Sequence, residues 1–99
     1  MNRILLVEDE PNLAFSLKLN FEAEGYQLEH AETGPAAVEA FEKFDDIAVI
    51  ILDVMLPGMD GFAVARAVRA KNERIGIIML TARASDQDRV RGFEAGVDD

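Results

Sequence analysis

The 99-residue chain contains no cysteine. That excludes a disulfide framework, thiolate metal sites and cysteine nucleophiles. Long apolar runs are missing too. None approaches the roughly 20 residues needed to span a bilayer. The opening Met1-Asn2-Arg3 leads into Ile4-Leu5-Leu6-Val7, a run too short and too quickly acidic at Glu8 to be a secretory signal. These absences predict a cytoplasmic protein with no membrane segment. Basic charge is scarce: ten Lys and Arg stand against nineteen Asp and Glu, a net charge of −9. Phosphate contacts need clustered Lys and Arg, so direct nucleic-acid binding by this segment is not expected. An acidic domain suits soluble partners with basic patches, or divalent cations. For most of the acids, solubility alone is sufficient explanation. There is no internal repeat, linker or low-complexity segment. With 49% hydrophobic residues, positions 1–99 read as one small domain able to bury a single core.

The most informative stretch runs from Ile47 to Gly61. Apolar residues Ala48 to Leu52 lead straight into Asp53, and a loop punctuated by Pro57, Gly58 and Gly61 follows. An unbroken apolar run bounded by turn residues reads as a buried central strand. Asp53 is then at the strand's carboxyl end, where open α/β sheets place their chemistry. It is a candidate nucleophile or metal ligand. On this stretch alone, a simple turn- or helix-capping role is equally consistent.

The remaining elements alternate. Arg3 to Glu8 reads as a first strand ending in Glu8-Asp9-Glu10, and Pro11 opens a helix capped by Asp9 or Glu10. Leu13, Leu17 and Phe21, with Ala14 beside them, form its apolar stripe, and Gly25 ends it. Tyr26 to Ala31 is a second, half-exposed strand at an edge of the sheet. Thr33-Gly34-Pro35 opens a second helix that buries Ala37, Val38 and Phe41. The strand through Asp53 comes third, and a third helix runs from Ala63 to Ala70 with Val64 and Val68 in register. Ile75 to Leu80 is a fourth apolar strand ending at Thr81-Ala82. Ser85 and Asp88 form an S-x-x-D capping box for a fourth helix carrying Val90 and Phe93 and ending at Gly96. Strand and helix alternating in this way predict a parallel sheet with helices on both faces.

Three of these strands end in polar groups: Glu8 and Asp9, Asp53, and Thr81. In a parallel sheet those ends share one side, so three carboxylates and a hydroxyl converge. Unpaired carboxylates repel one another. A hard divalent cation relieves that, and Mg²⁺ favours one or two carboxylates with waters and phosphate oxygens.

In this order and spacing the chain resembles the receiver domain of two-component response regulators. The residues that carry the likeness are Glu8-Asp9, Ile51-Leu52-Asp53, the loop Met55-Leu56-Pro57-Gly58-Met59-Asp60-Gly61, Thr81-Ala82, and Ala95-Gly96-Val97-Asp98-Asp99. The resemblance covers the whole chain. It implies a flavodoxin-like sheet with strand order 2-1-3-4. It implies that Asp53 accepts a phosphoryl group from a histidine kinase. It further implies that Asp9, Asp53 and the Met55 carbonyl hold Mg²⁺, with Glu8 acting through a bound water, and that Thr81 hydrogen-bonds the phosphoryl oxygen. Ala82 either leaves the phosphate room or simply packs, and Met55 and Met59 serve partner recognition or loop packing. His30, the one histidine, reads as a solvated residue on the edge strand.

Two other classes fit less well. A haloacid-dehalogenase-type phosphatase uses D-x-D, but position 55 is Met. A nucleotide- or flavin-binding domain needs a glycine-rich phosphate loop, and the loop after the first strand carries three acids instead. A phosphorylation-deficient assembly module on the same fold stays open. The family pattern continues past Asp99 into a fifth strand, a Lys followed by Pro, and a fifth helix. The sequence therefore reads as a C-terminally truncated receiver domain without its effector. We expect impaired phosphorylation, and a homodimer or exchange of elements through a bare fourth strand. Phe93 and Val97 are the expected interface residues.

Overall fold

The computed structural model describes residues 3–53 and 60–80. They form β1 (Arg3–Val7), α1 (Pro11–Ala23), β2 (Gln27–Ala31), α2 (Gly34–Lys43), β3 (Ile47–Asp53), α3 (Gly61–Lys71) and β4 (Gly76–Leu80). All strand pairs are parallel, in the order β2-β1-β3-β4. This is the flavodoxin-like order expected. From β1 the chain steps outward to β2 and then back past β1 to β3. The β1/β3 boundary is thus the topological switch point, where such sheets keep their functional crevice.

Successive side chains of a strand point to opposite faces, and two cores follow from that parity. On one face Leu5, Val7, Ile50, Leu52 and Ile77 pack with Ala37 of α2 and with Phe62, Val64, Ala65 and Val68 of α3. On the other, Ile4, Leu6, Leu28 and Ile51 pack with Ala14 of α1, joined by Leu17 and Phe21. The two helix stripes differ from expectation by one position each. Leu13 is 43% exposed, and the buried stripe of α1 runs through Ala14, Leu17 and Phe21. Val38 is only half-buried, and α2 presents Ala37, Ala40, Phe41 and Phe44. One residue along a helix is a turn of about 100°, enough to move a side chain off the core face.

The ends of the elements have local causes. Glu10 caps α1, accepting from Asn12 N at 3.2 Å and Leu13 N at 2.7 Å. Thr33 caps α2 through Ala36 N at 3.1 Å. Asp60, which sequence reasoning left in the loop, caps α3 through Ala63 N at 2.8 Å, so that helix starts two residues earlier than expected. β2 starts at Gln27 and not Tyr26, because the Tyr26 N–H donates to Phe21 O at 3.1 Å. Gly25, at φ 92°, donates to Glu22 O at 3.0 Å, and the Tyr26 ring meets Phe21 edge-on at 6.1 Å. Together these make a Schellman ending, with its left-handed glycine and its apolar contact. β4 starts at Gly76, and the preceding Ile75 carbonyl accepts from Arg69 Nη1 at 2.7 Å. β1 stops at Val7, one residue before Glu8. The fourth helix with Ser85, Val90, Phe93 and Gly96 lies outside the described residues, as does Val97.

At the opposite end of the strands from the acidic residues, Arg3 ties three segments together. It donates to Asp46 at 3.0 Å and Glu29 at 2.9 Å and sits 4.4 Å from the Phe44 ring centroid. The guanidinium holds the Asp46 carboxyl below its ordinary pKa. Among the described residues, the largest fully buried side chain is Phe62, at the start of α3. We expect Phe62→Ala to destabilise the domain by about 3–5 kcal/mol, the range for emptying an aromatic core site. Urea unfolding followed by circular dichroism checks this.

Candidate functional site at the sheet switch point

β1 and β3 end side by side. Val7 is the register partner of Leu52, so the next residues, Glu8 and Asp53, are neighbours at the switch point. The Glu8 N–H donates to Ala31 O at 3.0 Å, which fastens the first acid to the end of β2. Asp9 follows directly. One carboxylate oxygen from each of Glu8, Asp9 and Asp53 lies within 4.8 Å of the others. Burial is graded across the three: Glu8 is buried, Asp53 half-buried and Asp9 exposed.

Glu8 bears most of the strain of this arrangement. Only 2% of its surface is exposed. Its Oε1 accepts from Glu10 N at 3.1 Å, while Oε2 is buried without a hydrogen-bond partner. Burial pushes its pKa up to about 7. The Glu10 N–H opposes that rise, and the Asp53 and Asp9 carboxylates add to it. A buried carboxylate oxygen with no donor, beside two further carboxylates, is a donor set suited to a hard cation. All three groups offer oxygen, which is what Mg²⁺ and Ca²⁺ take. The set therefore fits a divalent metal.

Each of the three consecutive acids has its own role. Glu8 is buried in the cluster, Asp9 reaches it from the solvent side, and Glu10 is spent on the α1 cap. Of the two residues proposed as that cap, only Glu10 is used, which leaves Asp9 to the crevice. Met55, Thr81 and Ala82 lie outside the described residues. His30 lies on the outer strand β2, as expected, but makes a contact that was not anticipated. It is exposed, but its Nε2 lies 2.7 Å from the Glu8 carbonyl oxygen. A carbonyl can only accept, so Nε2 carries the proton and donates. Sequence reasoning missed this contact because an exposed His on an edge strand has no periodic signature. The one usable signal is its parity with Leu28, which puts it on the α1 side of the sheet.

The whole-chain comparison agrees with the geometry. The family model for the response regulator receiver domain matches residues 4–99. The chain belongs to this family, the receiver domains of two-component response regulators. It is 43% identical over 99 residues to the transcriptional regulatory protein RprY of Bacteroides fragilis, covering 98% of this chain and 41% of that protein. It is 43% identical over 98 residues to the transcriptional regulatory protein ResD of Bacillus subtilis, covering 98% and 40%. The chain thus spans about two fifths of the length of these relatives. Among solved structures, the chemotaxis protein CheY4 of Vibrio cholerae superposes with a TM-score of 0.93 at 30% identity, covering 98% of this chain and 82% of that one. The response regulator TrrA of Thermotoga maritima, solved in complex with Mg²⁺ and BeF, superposes with a TM-score of 0.88 at 36% identity, covering 99% and 83%.

The raised Glu8 pKa has a definite consequence for stability. A carboxyl that binds its proton more tightly when folded costs nothing below its unfolded pKa of about 4.5, where both states are protonated. Stability is lost as pH rises from there, and the full cost is present above about 7. We expect metal-free protein to lose stability across that window and Mg²⁺ to restore it at high pH. Asp53→Asn removes one carboxylate of the cluster and should weaken the Mg²⁺ effect. Thermal melts across the pH window, with and without Mg²⁺, check both.

Proposed function

We propose that the chain is a phosphoryl-accepting switch of a two-component system, with Asp53 as the acceptor and a histidine kinase as the donor. One observation carries the reading: three carboxylates meet at the β1/β3 switch point, and one of them has a buried oxygen without a partner. Asp9 and Asp53 would hold Mg²⁺, with Glu8 acting through a water. Met55, through its carbonyl, would join them. The ion, when bound, offsets the negative charge spread over the phosphoryl oxygens.

In the transfer, a carboxylate oxygen of Asp53 attacks the phosphorus of the kinase phosphohistidine. The P–N bond breaks, and the imidazole keeps the electron pair and takes up a proton. Asp53 is left as a mixed carboxylic–phosphoric anhydride. Thr81 would then donate to a phosphoryl oxygen. The chain supplies the acceptor and not a turnover site, so we read it as a phosphoacceptor domain and not as an enzyme in its own right. That the TrrA relative was solved with Mg²⁺ and BeF supports the metal assignment.

The curated relatives are called transcriptional regulatory proteins, which supports a role in controlling transcription through an effector outside this segment. With a net charge of −9, the segment itself is a poor match for nucleic acid. No helix among the described residues is long and apolar enough to cross a membrane. A cytoplasmic location suits such a regulator.

Intact-mass measurement after incubation with acetyl phosphate and Mg²⁺ tests the acceptor. We expect a slow gain of one phosphoryl group, since it adds up to about two negative charges to an acidic crevice. Hydroxylamine should remove it, as it cleaves acyl phosphates, and Asp53→Asn should abolish it. A label that survives in Asp53→Asn assigns the role to another acid. A parent chain that never labels returns the phosphorylation-deficient assembly module.

We also expect self-association. β4 is the outer strand among the described residues, and Ile78 on it is 38% exposed. An apolar outer strand is a template for pairing with a second copy or for exchange of elements. Sedimentation at micromolar concentration should show a dimer. A compact monomer that unfolds cooperatively rules this out.

A further inference from the structure

We propose that His30 is a positioning residue for the acidic crevice: its Nε2–H, donating to the Glu8 carbonyl, sets the plane of the Glu8–Asp9 peptide and so the approach of both carboxylates to a divalent cation. The inference rests on the metal-binding reading of the Glu8, Asp9 and Asp53 cluster.

The Glu8 carbonyl belongs to the peptide unit whose N–H is that of Asp9. The direction of that C=O sets ψ of Glu8 and, with it, the plane of the peptide that leads into Asp9. Two other groups of Glu8 are already held. Its N–H is bonded to Ala31 O at 3.0 Å, and its Oε1 accepts from Glu10 N at 3.1 Å. Oε2 is left to the crevice, and the backbone near the carbonyl has no donor to give it. The β1–β2 ladder ends at Val7 and Ala31. Pro11 has no N–H. Asn12, four residues on, gives its N–H to the Glu10 side chain. Leu13 does the same. Among the described residues no backbone N–H reaches the Glu8 carbonyl. The imidazole at 2.7 Å takes that place.

Helix α1 thus offers the Glu8 carbonyl no donor, and His30 supplies one. The first turn of α1 closes onto the Glu10 carbonyl, which accepts from Ala14 N at 3.0 Å, and not onto Glu8. The Glu8–Asp9 peptide would be a hinge between strand and helix without a side-chain brace. A hinge there would let Asp9, exposed and without backbone restraint on its carboxylate side, drift from Asp53. A surface histidine with no partner would leave metal affinity untouched when replaced. A bracing histidine would not.

The test is a Mg²⁺ titration at fixed pH, read from the amide resonances of residues 8, 9 and 53, on the parent chain, His30→Phe and His30→Gln. His30→Phe keeps a ring but loses the donor. We expect its Mg²⁺ affinity to fall about tenfold, the lower end of the effect of removing a group that orients a ligand. Its metal-free unfolding midpoint should match the parent's. His30→Gln places an N–H at a similar reach and should recover most of the affinity. Should His30→Phe fold poorly, the parent supplies the reading. Its His30 Nε2 resonance should move on Mg²⁺ addition with the same midpoint as the Asp9 amide. Parent-like affinity in a folded His30→Phe, or an Nε2 resonance that stays still while the Asp9 amide moves, overturns the proposal. A parent chain with no Mg²⁺ response at all overturns the metal reading itself, a different failure from the loss of a selective His30 effect.

Discussion

Strand β1 is sealed on both faces, and the position of the acids follows from that constraint. Ile4 and Leu6 belong to the core under α1, and Leu5 and Val7 to the core under α2 and α3. A strand buried on both sides cannot slip by one residue without exchanging its two cores. Its end is therefore fixed, and the first residue past it, Glu8, has no freedom to leave the sheet edge. β3 is held in the same way by Ile50, Ile51 and Leu52. Two rigid strands in fixed register bring two carboxylates to one place, although those carboxylates repel each other.

The crevice is thus an unfavourable arrangement supported by favourable ones around it. Apolar burial on two faces supplies the stability, and the switch point uses part of it to keep Glu8 buried with an unpartnered oxygen. Natural domains retain such sites where function needs them. Arg3 shows the contrast at the other end of the strands. There a cation bridges Asp46 and Glu29 and stacks on Phe44, so every charge has an opposite neighbour. The same sheet balances its charges at one end and leaves like charges together at the other.

Much of this was legible in the chain itself. The unbroken apolar runs Ile4 to Val7 and Ala48 to Leu52 announced central parallel strands. The alternation of strand and helix announced the layers, and the strand-end acids announced the crevice. What failed to show has physical causes. Leu13 and Val38 are apolar residues one position from the core stripe, and composition cannot tell the two sides of a helix apart at that spacing. Asp60 sits in a loop motif whose other residues drew attention to chemistry, and its capping role competes for the same residue type. Tyr26 reads as a strand former, but its N–H is consumed by the ending of α1. His30 needed coordinates, because its partner is a backbone carbonyl on another strand, and backbone carbonyls are invisible to side-chain patterns.

The tripeptide Glu8-Asp9-Glu10 is uniform in charge but not in duty: one residue is buried, one faces the crevice from solvent, and one ends its reach at two helix N–H groups. Those duties are set by count along the chain, between the last residue of a fixed strand and the first of a fixed helix. Deleting one residue here would move a remaining acid into its neighbour's position without that position's geometry. In this segment an insertion or deletion is a more drastic event than a substitution, and the length of the joint between β1 and α1 is itself heritable information.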